Sequence, residues 1–341
     1  MKALRWYGRK DLRYEDTAEP SPGPGQVKIK INLAGICGSD LKEYTDGPCL
    51  IPVDKTPLTV GHEFAGRVVE LGEGVTDFKV GERVSGVGYR VCGQCFYCKK
   101  AIYNLCSNSK FTGAQVDGCM AEYLISPGYS LYKLPDSVSD EAGALVEPLA
   151  VAVHAVRQVH PGDNVVIVGD GAIGLCSLLA ARAAGASNVY VVAKHKNRGE
   201  IASALGANKV VYLSDGDPVR MIRNLTDGLG ADISIECVGN PETPQLSVEL
   251  ARNGGIAVIL GVFNKPSSFD FGNIVFGEKT IMGSSIYIDE GRTAAALMAD
   301  GRIDPSRLIT SKVPLQDAVE KGFDELLSNK EKNIKVLLQV P

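Results

Sequence analysis

Four cysteines crowd into one short segment of the chain, CGQCFYCKKAIYNLC. They follow the spacing C-x2-C-x2-C-x7-C and are Cys92, Cys95, Cys98 and Cys106. Four thiolates from one loop can complete a tetrahedral shell around zinc and leave no coordination position open, which is typical of a structural zinc site. An iron–sulfur cluster is the alternative, because thiolates also bind iron. A zinc module that binds nucleic acid is disfavoured, since the loop offers only Lys99 and Lys100 as bases.

A second set of metal-binding residue types is dispersed along the chain. Cys37 lies in GICGSD, His62 and Glu63 lie in GHEFAG, and Glu147 lies in ALVEPLA. A thiolate, an imidazole and a carboxylate suit a zinc ion that keeps one position open for substrate or water. Taken singly, these residues could be a buried thiol, a core histidine and a helix-start carboxylate. Taken together, they predict a catalytic zinc site.

The segment NVVIVGDGAIG predicts a turn that binds a dinucleotide. Gly169, Gly171 and Gly174 form the arrangement G-x-G-x-x-G between an apolar strand and the helical stretch LCSLLAARAAGA. These glycines permit a tight turn, close approach of a pyrophosphate and packing of the helix on the strand. Free N–H groups at the helix start, where Ala172 and Ile173 lie, would face the phosphates. An ordinary turn between strand and helix is the alternative.

The end of the following strand indicates which coenzyme binds. An acidic residue about 20 positions after the glycines would bind the adenosine ribose and select NAD. Here the strand VYVV runs into Ala193, Lys194, His195, Lys196, Asn197 and Arg198, and no carboxylate appears before Glu200. Positive charge without an acid suits the additional phosphate of NADP. We therefore predict a preference for NADP(H) over NAD(H), with a solvated charged turn as the alternative.

The sequence around these residues shows two different patterns of apolar and turn-forming residues. The first 150 residues contain strand-like segments such as VKIKINLAG and EFAGRVVELG, separated by glycine and proline. From about Pro161, apolar runs such as NVVIVG, NVYVVA and GIAVILG alternate with helix-like stretches. This alternation is typical of a parallel sheet whose strands are buried on both faces. The pattern predicts an α/β protein of two domains, in which one domain is inserted between the first 150 residues and about the last 55.

Composition and charge narrow the classes of function. A net charge of −4 gives no indication of the basic surface with which proteins bind nucleic acid. The charged N-terminal segment lacks the apolar core of a signal peptide, and no apolar run reaches the roughly 18 residues of a membrane span. We therefore expect a cytoplasmic protein that binds neither membranes nor nucleic acid.

The motifs together resemble the zinc-dependent medium-chain alcohol dehydrogenases, and within them the 2,3-butanediol and sorbitol (polyol) dehydrogenases. The resemblance spans nearly the whole chain, including GICGSDLKEY, GHEFAGRVVELGEGV, the cysteine loop, GALVEPLAVAVHAV and the glycine fingerprint. It implies a GroES-like catalytic domain of residues 1–150 and 285–341 that carries two zinc ions, and a doubly wound Rossmann domain of residues 151–284 that binds the coenzyme. The basic turn at residues 194–198 departs from the family members that use NAD. It also implies a homodimer or homotetramer that pairs through a Rossmann sheet edge, for which TIMGSSI is the candidate strand.

The resemblance assigns roles to individual residues. Catalytic zinc would be bound by Cys37, His62 and Glu147, with Glu63 as an alternative ligand. As a Lewis acid, zinc would lower the pKa of the bound alcohol, and Ser39 would begin the proton relay. Lys42 departs from butanediol dehydrogenases, which often carry a histidine there, so proton exit would use another residue or water. The nicotinamide half of the coenzyme would contact Val238, Leu260, Gly261, Val262, Ser284 and Ser285, although strand-end packing alone could also explain these residues.

The predicted reaction is the transfer of a hydride between NADP(H) and a small secondary alcohol or vicinal diol, of the 2,3-butanediol and acetoin type. A polyol, a sugar or L-threonine is the alternative substrate within the same family. A relative that binds zinc or coenzyme without catalysis is the alternative of another class.

Overall fold

The strand-like and helix-like segments of the sequence become eighteen strands and eleven α-helices in the computed structural model, which describes residues 1–341. The strands are β1 Lys2–Gly8, β2 Asp11–Asp16, β3 Gln26–Gly35, β4 Leu58–Thr59, β5 Glu63–Leu71, β6 Arg83–Gly86, β7 Tyr89–Arg90, β8 Lys110–Phe111, β9 Tyr123–Pro127, β10 Leu131–Lys133, β11 Asn164–Val168, β12 Asn188–Ala193, β13 Lys209–Tyr212, β14 Ala231–Glu236, β15 Ala251–Ile259, β16 Thr280–Gly283, β17 Ile309–Pro314 and β18 Lys335–Gln339. The α-helices are α1 Gly38–Asp46, α2 Phe96–Lys99, α3 Asp140–Gly143, α4 Val146–Ala155, α5 Ala172–Ala183, α6 Lys196–Ala204, α7 Pro218–Leu225, α8 Thr243–Leu250, α9 Phe271–Phe276, α10 Glu290–Ala299 and α11 Glu325–Ser328.

The chain divides into two units. Met1–Glu147, Gly291–Gly301 and Ile309–Pro341 form the first unit, and Pro148–Glu290 with Arg302–Leu308 form the second. The borders predicted from the sequence, after residues 150 and 284, lie three and six residues from the crossings after Glu147 and Glu290. Both crossings fall inside helices, α4 and α10. The segment 302–308, which the sequence placed with the first domain, belongs to the second unit.

The first unit is built on antiparallel strands. A three-stranded sheet has the order β2-β1-β4, and a larger sheet has the order β10-β6-β5-β3-β18-β17, with β9 also pairing with β3. In β3, Val27, Ile29 and Ile31 recur at every second position and are buried, as the period of a strand requires. Alternate residues of the sheet strands thus supply the core of this unit.

The second unit is built on one parallel sheet with the strand order β13-β12-β11-β14-β15-β16. Every pair of neighbouring strands in it is parallel. In chain order within the sheet this is 3-2-1-4-5-6, the order of the doubly wound dinucleotide-binding fold, whose ligands bind at the carboxyl ends of the strands. The predicted α/β class and parallel sheet are confirmed. Val166, Val168, Val192 and Val211 belong to the core of this sheet, which explains the continuous apolar runs.

Two stretches after residue 284, RTAAALMADGRI and QDAVEKGFDELLS, have helix-like sequences. The first supplies most of α10, as its sequence predicts, whereas the second forms a short 3-10 turn, a π-helix over Ala318–Asp324 and the single turn of α11. The longest α-helix, α5, has 12 residues, and none of the helices combines the length and apolar character that crossing a membrane requires.

Candidate functional site

The cysteine loop of the first unit gathers its four thiols. The sulfur atoms of Cys92, Cys95, Cys98 and Cys106 all lie within 4.8 Å of one another. Backbone N–H groups of Cys98 and Ser107 lower the pKa of Cys95 to about 6, whereas burial and hydrogen bonds with neighbouring thiols raise the pKa of Cys98 to about 12. A metal ion deprotonates the thiols that coordinate it, so a bound cation would convert all four to thiolates and balance their charge. The donor set fits zinc.

A second candidate site joins residues that are distant in sequence. One ligand atom from each of Cys37, His62 and Glu63 lies within 4.8 Å of the other two. The register of neighbouring antiparallel strands explains this, since Gly35 at the end of β3 pairs with Glu63 at the start of β5. Cys37 follows as the N-cap of α1, and His62 immediately precedes β5. One thiolate, one imidazole and one carboxylate at this spacing fit a zinc ion with a position left for substrate.

Asp40 lies behind two of these residues and was missed in the sequence. Its Oδ2 accepts a hydrogen bond from the Cys37 backbone N–H at 2.9 Å, and its Oδ1 lies 3.7 Å from His62 Nδ1. Burial favours neutral His62, but the negative groups of Asp40 and Cys37 outweigh it and raise the pKa of His62 well above its usual value. A carboxylate behind a ligating histidine orients the ring. The only sequence signal is an acidic residue three positions after a helix N-cap.

Glu63 is paired with a residue from the far end of the chain, Lys335 on β18. Lys335 Nζ lies 2.7 Å from both carboxylate oxygens of Glu63 and donates to the Ile36 carbonyl at 3.0 Å. Both side chains are almost fully buried, at 3% and 1% exposure. The sequence offered no signal for Lys335, because its segment KVLLQV indicates only a strand.

Glu147, the other candidate carboxylate, lies near His62 but outside the close group of three. It is buried at the start of α4. A Cβ atom on Gly88 would lie 3.3 Å from Glu147 Oε1 and 3.5 Å from His62 Cδ2, so both side chains border the space that this glycine leaves open. Ser39, the predicted start of the relay, is half-buried in the first turn of α1, two residues after Cys37.

The glycine fingerprint of the second unit connects β11 to α5. A Cβ on Gly174 would lie 2.1 Å from the Gly169 carbonyl oxygen, so the helix can pack here only without a side chain. A Cβ on Gly171, the N-cap of α5, would meet nothing within 4 Å. Open space in front of the helix start, where Ala172 and Ile173 begin α5, suits a pyrophosphate.

The basic turn after β12 contains a feature that the sequence did not reveal. Asp170, inside the fingerprint, is buried and accepts hydrogen bonds from the backbone N–H groups of Lys194 and His195 at 2.9 and 2.6 Å. It also lies 3.2 Å from His195 Nδ1 and 4.0 Å from Arg198 Nη1. Asp170 therefore anchors the turn and offsets one positive charge, while Lys194 and Lys196 add two more.

The residues predicted to contact nicotinamide follow three neighbouring strands at their carboxyl ends. β14 ends at Glu236, β15 at Ile259 and β16 at Gly283. Val238 and Val262 are exposed there, at 44% and 76%. The other predicted residues of this group lie in the same three loops and are Leu260, Gly261, Ser284 and Ser285.

Comparisons with known proteins identify the family of the chain. A family model for the alcohol dehydrogenase GroES-like domain matches residues 23–136, and one for zinc-binding dehydrogenase matches residues 172–300. The chain is 39% identical to (R,R)-butanediol dehydrogenase of Bacillus subtilis strain 168 and 36% identical to sorbitol dehydrogenase of Halalkalibacterium halodurans, with 99% of each chain covered in both cases. The crystal structure of 2R,3R-butanediol dehydrogenase from Bacillus subtilis matches with a TM-score of 0.92 at 39% identity, covering 99% of both chains. A zinc-binding dehydrogenase structure from Sinorhizobium meliloti 1021 bound to NADP matches with a TM-score of 0.90 at 33% identity, covering 99% of this chain and 98% of that one.

Proposed function

Because the chain belongs to the zinc-dependent medium-chain alcohol dehydrogenases, we propose that it transfers a hydride between NADP(H) and a small vicinal diol or its ketone, of the 2,3-butanediol and acetoin type. The observation that carries the proposal is the convergence of Cys37, His62 and Glu63 in a chain that also carries the fingerprint turn. A catalytic metal and a dinucleotide are the two components that alcohol oxidation by this chemistry requires.

In this proposal Cys37 and His62 bind the catalytic zinc, with Glu63 or Glu147 as the third protein ligand. When bound, zinc would supply Lewis-acid polarisation of the substrate oxygen. The Asp40 carboxylate, 3.7 Å from His62 Nδ1, attracts that ring electrostatically, and Lys335 balances the charge of Glu63. Ser39 acts as a relay: its Oγ would accept the proton of the substrate hydroxyl while its own hydroxyl proton passes to water or another residue. If His62→Ala or Cys37→Ala left turnover unchanged, this assignment would be wrong.

The preference for NADP(H) rests on the turn at residues 194–198. Its backbone is tied to Asp170, and Lys194 and Lys196 leave a net positive charge at the end of β12. A phosphate monoester gains charge-assisted hydrogen bonds in such a turn, whereas a ribose hydroxyl does not. The S. meliloti structure bound to NADP supports the proposal as a structural relative.

Steady-state kinetics with both coenzymes test this preference. Loss of one charge-assisted contact costs about 1.5–3 kcal/mol, so Lys194→Ala should lower kcat/KM for NADP by about 10-fold or more and leave that for NAD nearly unchanged. Lys209→Ala is the control, because Lys209 is an exposed lysine at the opposite end of the sheet, at the start of β13. A wild-type preference for NAD would refute the proposal.

The substrate class is tested with a panel of 2,3-butanediol, acetoin, hexitols and L-threonine. The resemblance to butanediol dehydrogenase across the full chain favours the diol, and the resemblance to sorbitol dehydrogenase keeps a polyol as the second candidate. Turnover of L-threonine alone would refute the diol. Bound zinc without turnover of any alcohol would instead indicate a relative that binds metal without catalysis.

A homodimer or homotetramer that pairs through β16 completes the proposal. β16 is an edge strand of the parallel sheet, and the adjacent helix α9 exposes Phe271, Val275 and Phe276 at 70%, 66% and 90%. An unpaired edge beside apolar side chains suits a second copy of the same surface. Light scattering after gel filtration should show a smaller assembly for Phe276→Glu, and a monomeric wild type would contradict this proposal.

A further inference from the structure

Glu236 is a buried carboxylate at the carboxyl end of β14 in the second unit, and its side chain accepts hydrogen bonds from the loops after β14 and β15 and from the first residue of α8. Its Oε1 accepts from the backbone N–H groups of Val238 at 2.7 Å and Gly239 at 2.8 Å, and from Thr243 Oγ1 at 2.7 Å. Its Oε2 faces the backbone N–H of Gly261 at 3.2 Å. The side chain is fully buried. One carboxylate thus joins the loop after β14 to the loop after β15.

The backbone around this carboxylate is packed too closely for side chains. A Cβ on Gly261 would lie 2.4 Å from Glu236 Oε2, and a Cβ on Gly239 would lie 2.6 Å from the Val262 carbonyl oxygen. The two loops therefore touch through their backbones, and the carboxylate fills the space between them. This cluster is the loop junction, defined by Glu236, Val238, Gly239, Gly261 and Val262.

The chemistry of the loop junction calls for a group that only accepts hydrogen bonds. No ion pair joins Glu236 to a basic side chain, and its partners are three backbone N–H groups and a hydroxyl. Burying a charge without a counterion is costly unless hydrogen bonds satisfy it. A glutamine of the same shape would direct its NH2 group at one of these donors. Four donors from separate segments converge on this one side chain, so its place in the structure is to hold those segments together.

We propose that Glu236 is a positioning residue for the nicotinamide end of the coenzyme. Val238 and Val262 are the exposed side chains of the loop junction. They follow the carboxyl ends of β14 and β15, and this fold binds its ligand at the carboxyl ends of its strands. The junction also adjoins the fingerprint, because a Cβ on Gly169 would lie 2.8 Å from Val238 Cγ2. The inference rests on the proposed function, since it assumes that this unit binds a nicotinamide coenzyme.

The test compares a whole coenzyme with a fragment that lacks nicotinamide. Dissociation constants are measured by titration calorimetry for NADPH and 2′-phospho-ADP-ribose, and for NADH and ADP-ribose, on the wild type and Glu236→Gln. Loss of a charge-assisted hydrogen bond corresponds to about a 10-fold change. We expect Glu236→Gln to raise the dissociation constant of the whole coenzyme by about 10-fold and that of the fragment by less than about 2-fold. The KM for the coenzyme should also rise. Glu242→Gln, which alters an exposed acid before α8, is the matched control and should change neither.

A second variant keeps the test decisive if Glu236→Gln does not fold. Thr243→Val removes one donor to Glu236 and leaves the carboxylate in place, so it should weaken the whole coenzyme by about 3-fold and spare the fragment. Equal weakening of coenzyme and fragment, or no change in either, would overturn the inference. Failure of the proposed function would show differently, because the wild type itself would then bind neither coenzyme nor fragment.

Discussion

Replacing Lys335 by methionine tests how the charge of Glu63 is balanced in the first unit. The Lys335 ammonium lies 2.7 Å from both oxygens of Glu63, and the two side chains are 3% and 1% exposed. At an effective dielectric constant of about 20, opposite unit charges this close attract by about 6 kcal/mol, and desolvation of both ions offsets part of that. Removing one partner of a buried pair leaves an uncompensated charge, which costs about 3–5 kcal/mol.

The free energy of unfolding of this unit can be followed without interference from the other. Trp6 is the only tryptophan of the chain and is buried in the first unit, so its fluorescence reports that unit in a urea titration. With zinc removed by a chelator, Lys335→Met should lower the free energy of unfolding by about 3–5 kcal/mol. Adding Glu63→Gln to Lys335→Met should restore much of this free energy, since neither member of the buried ion pair remains. The control is Lys312→Met, which breaks an exposed pair with Glu141 and should cost less than about 1 kcal/mol.

Two results would refute this reasoning. One is that Lys335→Met lowers the free energy of unfolding no more than Lys312→Met does. The other is that the effects of Lys335→Met and Glu63→Gln simply add in the double variant. Repeating the titration with zinc then addresses the third ligand. If Glu63 binds zinc, the metal takes over part of the role of Lys335, and saturating zinc should shrink the effect of Lys335→Met. If Glu147 is the ligand instead, the loss should persist.

Three further predictions address other parts of the chain. Cys98→Ser should release about one zinc ion per chain, measured by metal analysis, and leave coenzyme binding intact, because the cysteine loop belongs to the first unit. Gly174→Ala should weaken coenzyme binding by about 10-fold or more in a fluorescence titration, since its Cβ would lie 2.1 Å from the Gly169 carbonyl oxygen and would displace the fingerprint turn. Burial alone would raise the pKa of Glu290, but hydrogen bonds from His154 and the Ile288 N–H lower it to about 2. The stabilisation by Glu290 is therefore complete above its ordinary pKa of about 4.5 and disappears as the pH falls toward 2, so the difference between wild type and Glu290→Gln in urea titrations, at most about 3 kcal/mol at pH 7, should vanish near pH 2.

The features that the sequence predicted are those whose physical cause is local. The fingerprint could be identified because Gly169, Gly171 and Gly174 are fixed by one turn between a strand and a helix. The thiol cluster could be identified because one loop of 15 residues supplies all its ligands, Cys92 to Cys106. The parallel sheet could be identified because burial on both faces leaves apolar runs. The fingerprint and the thiol cluster each span fewer residues than one supersecondary unit, and each apolar run of the sheet is short as well.

The features that the sequence did not reveal depend on strand register or on charge balance across long separations. Lys335 is 272 positions from Glu63, and only the pairing of β18 with β3 and of β3 with β5 brings them together. Asp170 was hidden because the fingerprint leaves that position unspecified. The domain borders were displaced because helices α4 and α10 run through them without a break.

Three buried carboxylates show why sequence motifs do not reveal how buried charges are balanced. Glu63 is balanced by an ammonium group, Asp170 by two backbone N–H groups beside basic side chains, and Glu236 by backbone N–H groups and a hydroxyl alone. In the sequence each is simply an acid at the start or end of an apolar run. A carboxylate accepts several hydrogen bonds and donates none, so it can join chain segments whose local sequence does not fix them relative to each other. Its burial is tolerated only when those segments supply hydrogen-bond donors to it. Such acids therefore mark where loops must keep a fixed separation, and in this chain all three lie at or beside residues that we propose to bind zinc or coenzyme.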